Sequence, residues 1–102
     1  MAVIEITDAN FDEKIMNSGK TCLVDFYAVW CGPCKIMSPV VDEIAEENPD
    51  IVVGKCDIDE AEELAERFEI MSIPTLLVVK GGEVVKTFVG VTSKDDILDE
   101  LK

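Results

Sequence analysis

Two cysteines, Cys31 and Cys34, lie three positions apart in the segment Trp30-Cys31-Gly32-Pro33-Cys34. This spacing across the first turn of a helix brings two sulfurs close enough to form a disulfide bond. A helix N-terminus also offers unpaired N–H groups and the positive end of the helix dipole, which both favour a thiolate. We therefore expect Cys31 to be an exposed nucleophile that attacks a disulfide. Cys34, one turn further on, would be the buried thiol that resolves the mixed disulfide.

A metal site is the main alternative use of closely spaced cysteines. A zinc site needs a second pair of ligands, usually Cys or His. The sequence has no histidine, and the remaining cysteines, Cys22 and Cys56, are isolated within predicted strands. Buried strand positions offer poor ligand geometry, so we expect Cys22 and Cys56 to be small core residues. We expect no metal and no cofactor besides the Cys31–Cys34 pair.

One charged residue, Asp25, lies in the predicted strand just before the cysteines. A carboxylate among apolar residues is costly unless it is paired, or protonated with a raised pKa. A carboxyl group of this kind is a candidate proton carrier. The alternative is a structural polar group that local hydrogen bonds satisfy.

The cysteines follow a predicted central strand, residues 21–29, whose two alternating faces are both apolar. Further strands are predicted at residues 2–6, 51–57, 74–80 and 83–89. Helices are predicted at residues 8–17 with Asp8 as cap, 31–47 with a kink at Pro39, 60–69, and 93–101 with Ser93 as cap. Helical crossovers imply parallel strand pairs, and Gly81-Gly82 indicates an antiparallel hairpin. This order predicts an α/β fold, with a central mixed β-sheet flanked by helices on both faces.

Composition limits the classes of protein that fit. The chain has 102 residues, of which 48% are hydrophobic, so we expect one domain, residues 1–102, with a core of its own. The formal charge of −13 argues against a nucleic-acid partner and an anionic membrane surface. The N-terminus lacks the pattern of a signal peptide, and the most apolar stretch, residues 70–79, is too short to span a membrane. We therefore expect a cytoplasmic protein, where thiols are held reduced.

The segment from Asp25 to Lys35, which reads DFYAVWCGPCK, resembles the active-site segment of the thioredoxins. The later segments Ile73-Pro74-Thr75 and Gly81-Gly82-Glu83 are similar to thioredoxins at matching distances, and the resemblance covers nearly the whole chain. It implies a thioredoxin fold and a protein-disulfide reductase that carries electrons. The expected partners are a thioredoxin reductase and disulfide-containing protein substrates, with the chain acting as a monomer.

The resemblance also implies roles for residues around the cysteines. Asp25 would help to deprotonate Cys34. Lys55 would lie beside Asp25 and modulate it, although a lone lysine is by default a snorkelling or edge residue. The Ile73–Pro74 bond would be cis and packed against the dithiol, where the pattern alone indicates a simple strand start. The implied contact surface for substrates comprises Trp30, Gly32, Pro33, Ile73, Pro74, Val89 and Gly90.

Two other functions remain open at this point. An oxidase or isomerase domain of the protein disulfide isomerase kind usually carries a His between the cysteines, which here are joined by Gly32 and Pro33. A non-catalytic interaction module would have no reason to keep both sulfurs. Four residues depart from the common thioredoxin pattern and bear on partner choice and stability: Tyr27, Val29, Glu69 and Ser72.

Overall fold

Five strands form the centre of the protein in the computed structural model, which describes residues 3–102. Ala2, where the first strand is predicted to start, lies outside the described residues. The strands are β1 (Val3–Glu5), β2 (Cys22–Tyr27), β3 (Val52–Asp57), β4 (Thr75–Lys80) and β5 (Glu83–Val89). They join into one sheet in the order β1-β3-β2-β4-β5. β3 pairs in parallel with β1 and β2, whereas β4 runs antiparallel to β2 and β5, so the predicted mixed sheet is confirmed.

The helical elements cover both faces of this sheet, as predicted. They are a π-helical turn (Asp12–Met16), α1 (Gly32–Glu47), α2 (Glu62–Arg67) and α3 (Lys94–Leu101). One core cluster joins the π-helical turn and α2 to the sheet, and a second joins α1 and α3 to the opposite face. None of the helices found between residues 3 and 102 combines the length and apolar character that a membrane span requires.

The first helical segment differs from the prediction. It is limited to Asp12–Met16, and the Asn17 N–H bonds to the Asp12 carbonyl, five residues back. Asp8 does not cap it. Its N-cap residue is Phe11, and no side chain caps it. The Thr7 hydroxyl accepts a hydrogen bond from the Asn10 N–H in the turn that precedes it.

The direction of β4 also differs from the expectation that helical crossovers produce parallel pairs. The chain runs from β3 through α2 to β4, yet β4 lies antiparallel to β2, with Thr75 beside Phe26. α2 has six residues and β3 also has six. α2 spans less than half the length of β3, since a helix rises about 1.5 Å and a strand about 3.3 Å per residue. β4 starts at the end of the sheet where β2 and β3 finish.

Other local signals agree with the structure. Gly81 and Gly82 both adopt positive φ, 58° and 81°, as the tight hairpin between β4 and β5 requires. The Ser93 hydroxyl accepts a hydrogen bond of 3.2 Å from the Asp96 N–H and caps α3. Pro39 lies inside α1, which extends on both sides of it, and the kink predicted at this residue stays a prediction.

Candidate active site

The two cysteines lie at the N-terminus of α1. Cys31 is the N-cap residue with an extended backbone, and a disulfide bond joins it to Cys34, with 5.3 Å between their Cα atoms. Pro33 fits in this first turn because its missing N–H would have had no helical partner. The Cys34 N–H donates to the Cys31 Sγ at 3.2 Å. A thiolate at Cys31 would therefore be stabilised by this hydrogen bond and by the helix dipole.

The prediction that Cys31 is exposed is wrong, whereas the predicted burial of Cys34 is confirmed. Cys31 is 5% exposed and Cys34 is 4% exposed, so both are buried. Cys31 is covered because partly buried side chains, among them Ile73, pack on the disulfide. The Cys31 Sγ lies 3.9 Å from the Ile73 carbonyl oxygen. The two sulfurs differ in their position at the helix N-terminus, because only the Cys31 Sγ accepts the Cys34 backbone N–H.

Behind the disulfide a cavity of about 280 Å³ contains the Asp25 carboxyl group together with Cys34. Its lining comprises Asp25, Tyr27, Ala28, Val29, Cys34, Lys35, Ser38 and Lys55. Asp25 is 2% exposed, and its Oδ1 has no hydrogen-bond partner among residues 3–102. The alternative prediction, in which local hydrogen bonds satisfy the Asp25 carboxyl group, therefore fails for this oxygen. Burial raises the pKa of Asp25 to about 6, against the opposing charge of Lys55.

Lys55 lies next to Asp25 in the sheet, since the two residues are register partners on β3 and β2. β3 is an internal strand, so Lys55 is not an edge lysine. Its ammonium is directed to α1 and not to Asp25. It donates to the Ser38 hydroxyl at 2.6 Å and forms an ion pair of 2.9 Å with Asp42.

The Ile73–Pro74 bond is cis, as predicted. The loop that contains it contacts the disulfide through Ile73. The Gly90 N–H donates to the Pro74 carbonyl at 2.8 Å, which brings the end of β5 to the same place. The predicted contact residues from β5 and from the β4 start therefore lie on the cysteine side of the sheet.

The apolar residues around the disulfide are strongly exposed. Trp30 is 67% exposed and Val89 is 64% exposed. The Trp30 Nε1–H donates to the Asp59 carboxylate at 2.8 Å, which fixes the indole on the surface. Val29 and Met71 extend this apolar surface, with exposures of 67% and 93%.

Three polar residues of the site were missed by the sequence analysis: Ser38, Asp42 and Asp59. Ser38 and Asp42 follow Cys34 at intervals of four, which places all three on one stripe of α1. This spacing, read from the sequence, indicates that Ser38 and Asp42 lie on the same side of the predicted helix as Cys34. Asp59 is 29 residues from Trp30, and no local pattern connects the two residues.

The other cysteines belong to the core, as predicted. Cys22 and Cys56 are fully buried, free, and part of the cluster on the sheet face opposite α1. Burial raises the pKa of both thiols, that of Cys56 to about 12. Within the described residues, no three cysteine, aspartate or glutamate side chains converge as metal ligands would.

Comparison with known proteins agrees with this site. The family model described as Thioredoxin matches residues 2–102. The thioredoxin of Mycobacterium tuberculosis strain ATCC 25618 / H37Rv is 48% identical over 101 residues, which cover 98% of this chain and 87% of that protein. The thioredoxin of Staphylococcus haemolyticus is 47% identical over 104 residues, which cover 99% and 96%. A bifunctional thioredoxin reductase/thioredoxin of Mycobacterium leprae is 46% identical over 99 residues, which cover 96% of this chain and 22% of that protein. The chain thus belongs to the thioredoxin family and is a thiol–disulfide oxidoreductase with disulfide reductase activity.

Proposed function

We propose that this chain reduces disulfides in protein substrates through Cys31 and Cys34 and is then recharged by a reductase. One observation carries the proposal: Cys31 Sγ accepts the Cys34 N–H at the start of α1, and Cys34 shares a cavity with the buried Asp25. The first contact supplies an attacking thiolate. The second supplies a group that can take a proton from the resolving thiol.

In the first step the reduced Cys31 thiolate attacks one sulfur of a substrate disulfide. A bond forms between Cys31 Sγ and that sulfur, the substrate disulfide bond breaks, and the other substrate sulfur leaves as a thiolate. Attack at neutral pH requires a thiolate at Cys31, which the α1 N-terminus favours.

In the second step Cys34 resolves the mixed disulfide. Its proton passes to the Asp25 carboxylate, and its sulfur attacks Cys31 Sγ and expels the second substrate thiolate. The substrate has then gained two electrons, and the chain holds the Cys31–Cys34 disulfide. A base is most effective when its pKa lies near the working pH, and the Asp25 pKa of about 6 meets this condition. Lys55 modulates this base from the neighbouring strand.

The apolar surface beside the disulfide provides the substrate site. It consists of Trp30, Gly32, Pro33, Ile73, Pro74, Val89 and Gly90. Trp30 and Val89 are mostly exposed although apolar, which is typical of a surface that contacts partners. An extended segment on either side of the substrate disulfide would lie across Ile73, close to Cys31.

Turnover requires a partner that reduces the Cys31–Cys34 disulfide again. We assign this step to a thioredoxin reductase. The Mycobacterium leprae relative, whose name joins thioredoxin reductase and thioredoxin in one protein, supports this assignment. We place the chain in the cytoplasm, because thiols there are held reduced and a dithiol reductant suits that compartment. There it would act as a monomeric electron carrier.

Insulin reduction with dithiothreitol as electron source tests the proposal. Cys31→Ser should abolish the activity, and Cys34→Ser should accumulate a mixed disulfide with the substrate. Cys22→Ala is the matched control and should leave the rate unchanged, since Cys22 lies on the other face of the sheet. An active Cys31→Ser variant would refute the proposal.

Two further measurements separate the remaining roles. Asp25→Asn should slow substrate reduction at neutral pH with the fold intact, and an unchanged rate with saturating reductase would reject Asp25 as the proton acceptor. Redox equilibrium with glutathione should show the dithiol to be the stronger reductant. A more oxidising pair would contradict a reductive role.

A further inference from the structure

A polar stripe on α1 begins at the active-site cavity and continues to the adjoining one. Cys34, Ser38 and Asp42 occupy successive turns of the helix. The Lys55 ammonium is bonded to the last two, at 2.6 Å from Ser38 Oγ and 2.9 Å from Asp42 Oδ1. The neighbouring Asp25 Oδ1 has no hydrogen-bond partner in the described chain. The one basic residue beside Asp25 in the sheet is therefore held by α1.

We propose that Ser38 and Asp42 are positioning residues that hold the Lys55 ammonium against α1, away from Asp25. The carboxylate of Asp25 is then left free to take the proton of Cys34. This inference rests on the proposed function, because it concerns the proton acceptor of the resolving step.

The physical reason is the effect of a cation on a buried base. An ammonium within about 4–6 Å of a carboxylate lowers its pKa by roughly 1–3 units. A carboxylate paired in this way with Lys55 would be a weaker base, and proton transfer from Cys34 would be slower. The contacts with Ser38 and Asp42 compete with such a pair. They also leave Lys55 in the same cavity, where its charge still opposes the effect of burial on the pKa of Asp25.

Other charged and titratable groups face the same region, and a test must hold them constant. β1 contributes Glu5, β2 contributes Tyr27, β3 contributes Lys55, and α1 contributes Cys34, Lys35 and Asp42. The charges of Asp57 and Glu60 act on Tyr27. The β4 residue opposite Asp25 is Leu76, which is uncharged. Asp42 acts on Asp25 directly as well, since its charge raises the pKa of that carboxyl group.

The decisive test compares the Ser38→Ala/Asp42→Asn double variant in two backgrounds, with Lys55 present and with Lys55→Gln. The pKa of Asp25 is measured in the oxidised protein from the NMR shift of its carboxyl carbon. With Lys55 present, release of the ammonium should lower this pKa by about 1 unit. In the Lys55→Gln background the fall should be less than half as large, because only the direct effect of Asp42 remains. Equal falls in both backgrounds, or none in either, would overturn the proposal.

A matched control removes a neighbouring carboxylate from α1. Glu43 pairs with Lys94 at 3.1 Å, so Glu43→Gln removes the same charge without touching Lys55. Glu43→Gln should leave the pKa of Asp25 unchanged. A fall as large as that of the double variant would mean that any lost charge on α1 acts alike, and would also overturn the proposal.

Kinetics separates this inference from the proposed function. Rapid mixing of the mixed disulfide formed at Cys31 gives the rate at which Cys34 resolves it. With Lys55 present, the double variant should slow this rate about threefold at neutral pH and move its acid limb to lower pH. If Asp25→Asn slows resolution but the double variant keeps the wild-type pH profile, the positioning role fails and the proposed function stands. If Asp25→Asn resolves at the wild-type rate, Asp25 is not the acceptor and both fail.

Discussion

The Asp8 carboxylate accepts a hydrogen bond of 2.9 Å from the Leu64 backbone N–H, which joins the loop after β1 to the first turn of α2. Ala61, the N-cap residue of α2, has no side chain that could accept this bond. α2 has six residues, too few to be stable as an isolated helix. A cap from a distant part of the chain therefore helps to hold α2, and α2 leads directly into the loop that contacts the disulfide.

Removal of this cap should destabilise the protein. Asp8→Ala leaves the Leu64 N–H without its partner and should lower the free energy of unfolding by about 1 kcal/mol. Asp8→Asn keeps an acceptor oxygen and should lose much less. Urea unfolding measures both. The control is Asp12→Ala, which removes an exposed ion pair with Arg67 on the same helix and should cost less than about 0.5 kcal/mol. Equal losses for Asp8→Ala and Asp12→Ala would contradict the capping role.

Glu69 should be a point where glycine stabilises the fold. It follows α2 with a φ of 51°, the left-handed region that disfavours side chains with a Cβ. Glu69→Gly should therefore raise the free energy of unfolding by about 1 kcal/mol. Glu66→Gly, within α2, is the matched control and should lower it by about 1 kcal/mol. Both are read from denaturant midpoints, and a destabilised Glu69→Gly variant would show that side-chain contacts of Glu69 outweigh its backbone strain.

The buried Asp25 should make stability fall as pH rises. Its pKa is raised from 3.8 to about 6, so the folded state holds this proton more tightly than the unfolded state does. The stabilisation from the protonated form is complete below pH 3.8 and is lost as pH rises through about 6. Asp25→Asn should therefore be more stable than the wild type by about 3 kcal/mol well above pH 6, and this advantage should vanish at acid pH. Urea unfolding of both proteins across this range checks the difference, which a pH-independent gap would contradict.

The four cysteines should differ sharply in reactivity. In the reduced protein at neutral pH, iodoacetamide should modify Cys31 first, because its thiolate is stabilised at the α1 N-terminus. Cys22 and Cys56 should stay unmodified, since burial raises the pKa of both thiols and both are fully covered. Mass spectrometry of digested protein identifies the labelled sites. Unfolding in guanidinium is the control in which all four should react, and rapid labelling of Cys56 in the folded protein would refute its burial.

Much of the site is readable from local pattern. The Cys31–Cys34 spacing at a strand–helix junction predicts a disulfide at a helix N-terminus, and the structure has it there. A lone carboxylate in an apolar strand predicts a buried group that is either paired or protonated with a raised pKa, and burial raises the pKa of Asp25. These features depend on neighbours along the chain, so periodicity and residue type are sufficient to predict them.

What the sequence by itself determined is therefore the five strands, the helices α1, α2 and α3, the dithiol at the start of α1, and the buried Asp25. The tertiary structure alone decided which distant residues join them. A parallel β4 would have carried Pro74 to the other end of the sheet, and the antiparallel direction of β4 brings Ile73 onto the disulfide. The choice of Ser38 and Asp42 as partners of Lys55, like that of Asp8 as the cap of α2, depends in the same way on packing between elements. Contacts of this kind form between groups far apart along the chain, so local residue patterns carry no direct record of them.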